Sequence, residues 1–407
     1  MRKAVLCLGM AVATSLGTAQ AQRRDVVPAS SVERPEDIGL RMHTHYFLSS
    51  PTAAVSPDTL PDAFTTETPG SIACIYGLVT HTAGCPVATA TKVPTGGSET
   101  IVIVDAYDNP NAGADLKQFD AQFGLPNPTF VKLFASGTKP ANGCALGWEG
   151  EESLDVEWAH AMAPKAKIVL MEAASNSNTD LFDAVVKAEN YISAHGGKGE
   201  ISLSWGSSEF STESSFNSIF QLTPDIVYFA SSGDSAGPSY PSASPWVVSV
   251  GGTQINRNTA GNYLKQVGTK SCNPNSTGCG SGKSVFEGRP SYQDVVSASV
   301  GNARGTPDIA SDSSSGSPVA VYNSHCYGGW VSVYGTSVAA PTVAGIVNHA
   351  GGFKNLSSAE LSEIYSNFTN TADYTDITSG ACGAGHVGVS GYDKCTGVGV
   401  AKGYGKK

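Results

Sequence analysis

The stretch 150-GEESLDVEWAHAMAPKAKIVLMEA-173 changes its period half-way. Residues 151–163 carry Leu154 and Trp158 one helical turn apart among small alanines, which predicts a closely packed helix. After Pro164 the run 167-KIVLMEA-173 is apolar without alternation and reads as a strand buried on both faces. Outward from there the same rhythm recurs. The segments 100-TIVIVDAY-107, 201-ISLSW-205, 226-IVYFAS-231 and 246-WVVSVGG-252 predict buried strands. Residues 179–194 and the segment after 208 predict helices, whereas the Gly/Ser-rich stretch 255–335 predicts loops and hairpins around the sheet edge. Apolar strands alternating with helices imply an α/β fold whose central parallel sheet has helices on both faces.

The chain opens with Arg2 and Lys3 before an apolar run that ends on Ala19-Gln20-Ala21, the pattern of a signal peptide removed after residue 21. Export to the extracellular space or a periplasm is therefore expected. Residues 22–68, rich in Pro, Ser and Thr, read as a short pro-segment or N-terminal arm, and 69–407 as the functional domain. Eight cysteines remain after residue 21, and an even count in an oxidising compartment suggests four disulfides. Short loops close at least entropic cost, which favours 74 with 85, 272 with 279 and 382 with 395, leaving 144 for 326. A net charge of −10 with only 15% charged residues argues against nucleic-acid or anionic-membrane partners. A monomer is expected.

Reactive groups in such a sheet gather at the carboxyl ends of strands. Glu151 and Asp155 lie four residues apart, so on a helix they share one face; in a dry cleft such a pair shares a proton. An acidic first turn favoured by the helix dipole is the plainer reading. Asp234 sits in a GDS turn just beyond a buried strand, where a turn-capping role is the alternative. Asp105 ends the strand 101-IVIVD-105, a place that solvation alone explains poorly. Ser337, in 332-SVYGTSVAAPTVAGIV-347, reads locally as a helix cap, and a role as nucleophile depends on partners elsewhere in the chain. No histidine stands in a Gly-flanked HGTH-like helix start, so an Asp-His-Ser set lacks its middle member.

Six segments, GEESLDVEWAHAMAPKAKIVLMEA, SLSWG, FASSGDSAG, YPSASPWVVSVGGT, RGTPDIA and YGTSVAAP, occur in the order and spacing of the sedolisin family of serine-carboxyl peptidases. The resemblance runs from about residue 68 to the C-terminus. It implies a subtilisin-like fold in which a glutamate replaces the histidine base. By the same likeness Glu151 is the base, Asp155 its proton-sharing partner, Asp234 the acid that donates to the oxyanion, Ser337 the nucleophile and Asp105 an accessory acid. The implied activity is a secreted endopeptidase of polypeptides that forms an acyl-enzyme on Ser337 in acid. Two alternatives stand beside it: a tripeptidyl-type exopeptidase, and a catalytically silent exported binding protein on the same fold.

The segments 374-YTDITSG-380 and 391-GYDKCTGVG-399 resemble the family's calcium site. The likeness implies one structural Ca²⁺ held by Asp376 and Asp393 side chains and by carbonyls of Ile377, Val389 and Gly391, hard oxygen donors that suit this ion. Two departures stand out. Fewer than fifty residues separate Ala21 from the domain, where the family commonly carries a long prodomain, and Val338 follows the serine where alanine is usual.

Overall fold

The computed structural model describes residues 24–50, 60 and 66–407. The signal-peptide expectation and part of the 22–68 segment fall outside the described residues. No helix among those described is long and apolar enough to cross a membrane.

The main sheet runs in the spatial order Tyr374–Thr375, Val400–Ala401, Ile309–Asp312, Val248–Arg257, Ile226–Ser231, Gly199–Leu203, Thr100–Ala106, Lys167–Ala173, Thr129–Phe134, with Tyr263–Gly268 branching from Val248–Arg257. Its body is parallel; only the edge strand Tyr374–Thr375 and the branch pair antiparallel. Period-2 alternation assigns the faces of the middle strand. Ile101 and Ile103 pack with Val156 and Ala159 of the helix Glu149–Met162, whereas Val102 and Val104 pack with Leu181 and Val185 of the helix Asn178–Ala194. Asp105 continues the first set, which places it on the face of the Glu149–Met162 helix.

That helix and the helix Thr336–Ala350 lie against each other. A Cβ on Gly345 would come within 2.8 Å of the Ala159 carbonyl, so glycine allows their backbones to touch. Trp158 is fully buried and donates its indole N–H to the Ala320 carbonyl at 3.0 Å, tying the helix to the strand Val319–Asn323. All 14 residues of Glu149–Met162 are buried, carboxylates included. An acidic first turn facing water is thereby excluded.

The strands and helices read from the sequence are present, with 201-ISLSW-205 broken at Ser204 into Gly199–Leu203 and Trp205–Ser208. Two expectations need correction. The segment after 208 forms a 3-10 helix, Glu213–Gln221, whose Phe220 packs into the core beside Phe182. Residues 255–335 are more than edge loops: Ile309–Asp312 is an interior strand of the main sheet, and Gly329–Tyr334 runs directly into the Thr336–Ala350 helix. The four disulfides are those the loop lengths favour, Cys74–Cys85, Cys144–Cys326, Cys272–Cys279 and Cys382–Cys395.

Strand order reverses between Thr100–Ala106 and Gly199–Leu203, and at such a reversal the connecting loops part and leave a crevice. Asp105 ends one of these strands and Ser204 follows the other.

Candidate active site

Ser337 is the second residue of its helix; Gly335, not Ser337, occupies the cap position, with φ +119°. A side chain there would strike the His45 carbonyl oxygen at 2.2 Å and Asp234 Oδ2 at 2.7 Å, so glycine is what lets both oxygens crowd the start of the helix. Asp234 Oδ1 accepts from the Thr336 N–H and the Thr336 hydroxyl, each at 2.8 Å. The aspartate thus caps a helix a hundred residues away instead of its own turn. Its Oδ2 is buried without a partner, and burial raises its pKa well above the ordinary carboxyl value. Burial thus favours its neutral form, and Oδ2 lies unused beside Gly335 at the start of the helix that carries Ser337.

The Ser337 hydroxyl donates to the Ser204 carbonyl at 3.1 Å. Ser204 also donates its own hydroxyl to Asp155 Oδ1 at 2.8 Å, so one residue braces both serine and acid. Glu151 and Asp155 lie one turn apart on the acid-bearing helix, where the charge of Asp155 acts on Glu151. Burial raises the Glu151 pKa well above its ordinary value and Asp155 and Asp105 push it further, while interaction with the Ser337 hydroxyl draws it back. Neither Glu151 oxygen meets full hydrogen-bond geometry, because the serine proton is turned toward Ser204. Rotation of one hydroxyl would redirect it to the base, and catalytic hydrogen bonds often tighten only with substrate bound.

Behind this group lies a second layer of acids. Asp105 stands in register with Glu172 on the adjacent parallel strand, and both Asp105 oxygens are buried without partners. Burial, then Asp155 and Glu172, raise its pKa. Glu152 is likewise buried with two unpartnered oxygens. Burial pushes Glu172 up to about 8 despite Lys132, whose ammonium lies 3.3 Å from Glu172 Oε1 and 2.7 Å from Asp108 Oδ1.

The structure therefore brings Glu151, Asp155, Asp105, Asp234 and Ser337 to one crevice. Sequence reasoning missed Ser204, Thr336, Glu152 and Glu172. A signal existed for Glu172 alone, a charge inside an otherwise apolar buried strand.

The N-terminal arm crosses this crevice. His43–Thr44 pairs antiparallel with Gly206 and Trp205, and Phe47–Ser50 pairs antiparallel with the strand that leads into Ser337. Between them the His45 carbonyl accepts from the Ser337 N–H at 3.0 Å, and the His45 N–H donates to Ser337 Oγ at 3.1 Å. An imidazole thus lies near the serine, but its Nδ1 meets Ser231 Oγ at 2.6 Å, and burial lowers its pKa to about 3. The peptide group of His45, not its ring, engages Ser337.

The sequence profile of the subtilase family matches residues 137–385. The chain belongs to the subtilase family. Within the subtilases its likeness is to the sedolisins, the branch whose motifs its sequence carries. It is 26% identical over 343 residues to sedolisin of Pseudomonas sp. (strain 101), covering 76% of this chain and 57% of that protein. It is 27% identical over 278 residues to kumamolisin of Bacillus sp. (strain MN-32), covering 62% and 48%. The chain spans about half the length of these curated relatives. Its fold is similar to that of Pseudomonas sedolisin, a serine-carboxyl proteinase solved in complex with two molecules of pseudo-iodotyrostatin. That match has a TM-score of 0.69 at 24% identity and covers 84% of this chain and 96% of that one. Sphericase matches more distantly, with a TM-score of 0.51 at 20% identity, covering 84% and 99%.

This subtilase also gathers its calcium-site candidates on one loop. Asp376 Oδ2 accepts from the Gly391 N–H and Asp393 Oδ2 from the Val389 N–H, both at 2.8 Å. Burial raises the Asp393 pKa, a cost that a cation would offset. Two carboxylates, Asp393 inside the loop closed by Cys382–Cys395 and Asp376 just before it, beside backbone carbonyls, form a donor set that fits Ca²⁺.

The buried acids make a prediction about stability. Asp105, Glu151, Glu152, Asp155, Glu157, Glu200, Asp234 and Asp312 all have pKa values raised well above ordinary, foremost by burial. Folded chain then holds protons that unfolded chain releases, so their contribution is complete below about pH 4 and is lost as pH rises through the folded values. Calorimetry at pH 4 and pH 8 is expected to give the higher melting temperature at pH 4, by about 5 °C or more; a higher value at pH 8 would overturn the assignment of these acids as neutral.

Proposed function

We propose that this chain is an exported serine-carboxyl endopeptidase that works in acid. The observation that carries the reading is the His45–Tyr46 peptide bond, laid across Ser337 with its carbonyl oxygen on the Ser337 N–H and its flanks paired to the strands on either side. A polypeptide substrate in the same position would present its scissile carbonyl to Ser337 Oγ.

Glu151 takes the serine proton as Oγ attacks the carbonyl carbon, with Asp155 sharing the proton and Ser204 fixing the geometry. The new oxyanion is held by the Ser337 N–H at a helix N-terminus and by the protonated carboxyl of Asp234. Glu151 then returns the proton to the leaving amine. Water, deprotonated by the same glutamate, hydrolyses the Ser337 ester. Ionised Glu151 beside un-ionised Asp234 is the working state.

The arm pairs with strands on both sides of Ser337, through His43–Thr44 before it and Phe47–Ser50 after it, which supports an endopeptidase over a tripeptidyl exopeptidase needing a closed end. Incubating the purified chain between pH 3 and pH 8 is expected to produce a new N-terminus at Tyr46, fastest in acid. An intact His45–Tyr46 bond, together with no hydrolysis of unfolded protein at any pH, would favour the silent binding protein. Export predicts that chain recovered outside the cytosol has lost residues 1–21; recovery there with Met1 retained would contradict it.

Asp376, Asp393 and the carbonyls of Ile377, Val389 and Gly391 would hold the calcium ion, which when bound would crosslink the C-terminal loop. Chelation is expected to lower the melting temperature, since an ion at a hundred times its dissociation constant stabilises by about 2.7 kcal/mol. No change on chelation and re-addition of Ca²⁺ would remove the site.

A further inference from the structure

Tyr46 is the first residue beyond the carbonyl held at Ser337, so its side chain marks where the leaving side of a substrate would sit. It is fully buried. Its hydroxyl donates to the Gly147 carbonyl at 2.6 Å and meets the Tyr327 hydroxyl at 3.0 Å. The pocket floor is Gly150, next to the base: a Cβ there would lie 2.4 Å from the Tyr46 hydroxyl and 2.9 Å from the Tyr327 ring. The two polar walls come from segments remote in sequence, and the Cys144–Cys326 disulfide joins them, with Cys326 adjacent to Tyr327 and Cys144 three residues before Gly147. Gly147 and Tyr327 are thus held at a fixed separation across a cavity one phenol ring deep.

We propose that this pocket is a subsite selecting tyrosine immediately after the scissile bond, with Tyr327 and the Gly147 carbonyl reading the phenol hydroxyl. The proposal rests on the peptidase reading above and adds a substrate class to it. The shape accepts a flat six-membered ring. The polar end distinguishes tyrosine from phenylalanine, because the Gly147 carbonyl, which also accepts from the Ser30 hydroxyl of the arm at 2.9 Å, is left without a donor by a phenylalanine once the arm's Ser30 has departed. The next residue, Phe47, stacks on Tyr334 with ring centroids 5.6 Å apart, but that contact is apolar and reads only bulk. The side chain on the acyl side, His45, enters a different recess beside Ser231.

The test uses three peptides that copy residues 42–50 and differ only at the position of Tyr46, carrying Tyr, Phe or Ala. With wild-type chain cut at His45–Tyr46, whose retained Tyr46 end competes equally with all three peptides, kcat/KM is expected to fall about tenfold from Tyr to Phe, and by about a hundredfold or more from Tyr to Ala. Tyr327→Phe is expected to narrow the Tyr-to-Phe ratio of kcat/KM, and an unchanged ratio would overturn the role of its hydroxyl. Binding of the same peptides to arm-free Ser337→Ala chain, followed by calorimetry, gives the ranking without turnover. Equal rates or affinities for all three would overturn the subsite and leave the peptidase reading intact. Absence of cleavage of any peptide, with binding still ranked Tyr over Phe over Ala, would instead sink the peptidase reading and keep the pocket.

Discussion

Ser337→Ala is expected to lower kcat on unfolded protein by on the order of 10⁶ and to leave the His45–Tyr46 bond whole. The loss is large because, in the proposed mechanism, this hydroxyl is the group acylated. Glu151→Gln is expected to cost nearly as much: an amide cannot take the serine proton, although it fills the same volume. Since the two residues act as a unit, the double variant should be little worse than either single one. That non-additivity is the sharp part. Were Glu151 only a structural acid, Glu151→Gln would retain most of the activity and the two losses would multiply.

Asp234 offers a second large effect with a sign that can be worked out. Asp234→Ala removes an oxyanion donor and is expected to reduce kcat by about 10²- to 10³-fold. Asp234→Asn should be much milder in acid, because its carbonyl can still accept from Thr336 while its amide points where the carboxyl proton did. Burial raises the Asp234 pKa, so the wild-type donor is present at low pH and disappears as pH rises through the folded value. Asparagine does not titrate. The alkaline limb of the pH–rate profile should therefore move upward in Asp234→Asn, leaving the limb set by Glu151. If the amide variant is as slow as alanine throughout, or the limb stays in place, Asp234 is a helix cap and nothing more.

What could be read from the sequence follows from where apolar side chains are obligatory. Strands covered on both faces, such as 100–106 and 167–173, must be apolar throughout, and they stand out. Ile309–Asp312 is as deeply buried, but four residues between a proline and a serine run carry too little pattern to distinguish them from a loop. Residues 43–50 escaped for another reason. They bind through main-chain pairing, which any sequence can supply, so a stretch rich in polar residues read as a tail. The site motifs placed the five groups: Asp105, Glu151 and Ser337 near element ends, Asp234 just past a strand, and Asp155 one helical turn on from Glu151. Ser204 was hidden inside an apolar strand signature, and its role depends on a break in that strand which no periodicity announces.

The arm lying in the crevice has a kinetic consequence. A strand tethered to the same chain competes at an effective concentration on the order of millimolar, far above what most free substrates reach. Freshly folded molecules should therefore begin slowly and accelerate as the cut frees the residues before Tyr46 to diffuse away and leaves Tyr46 at a loose chain end. If the first cut is made within each molecule, the length of that lag will not depend on enzyme concentration; if neighbours cut one another, dilution will lengthen it.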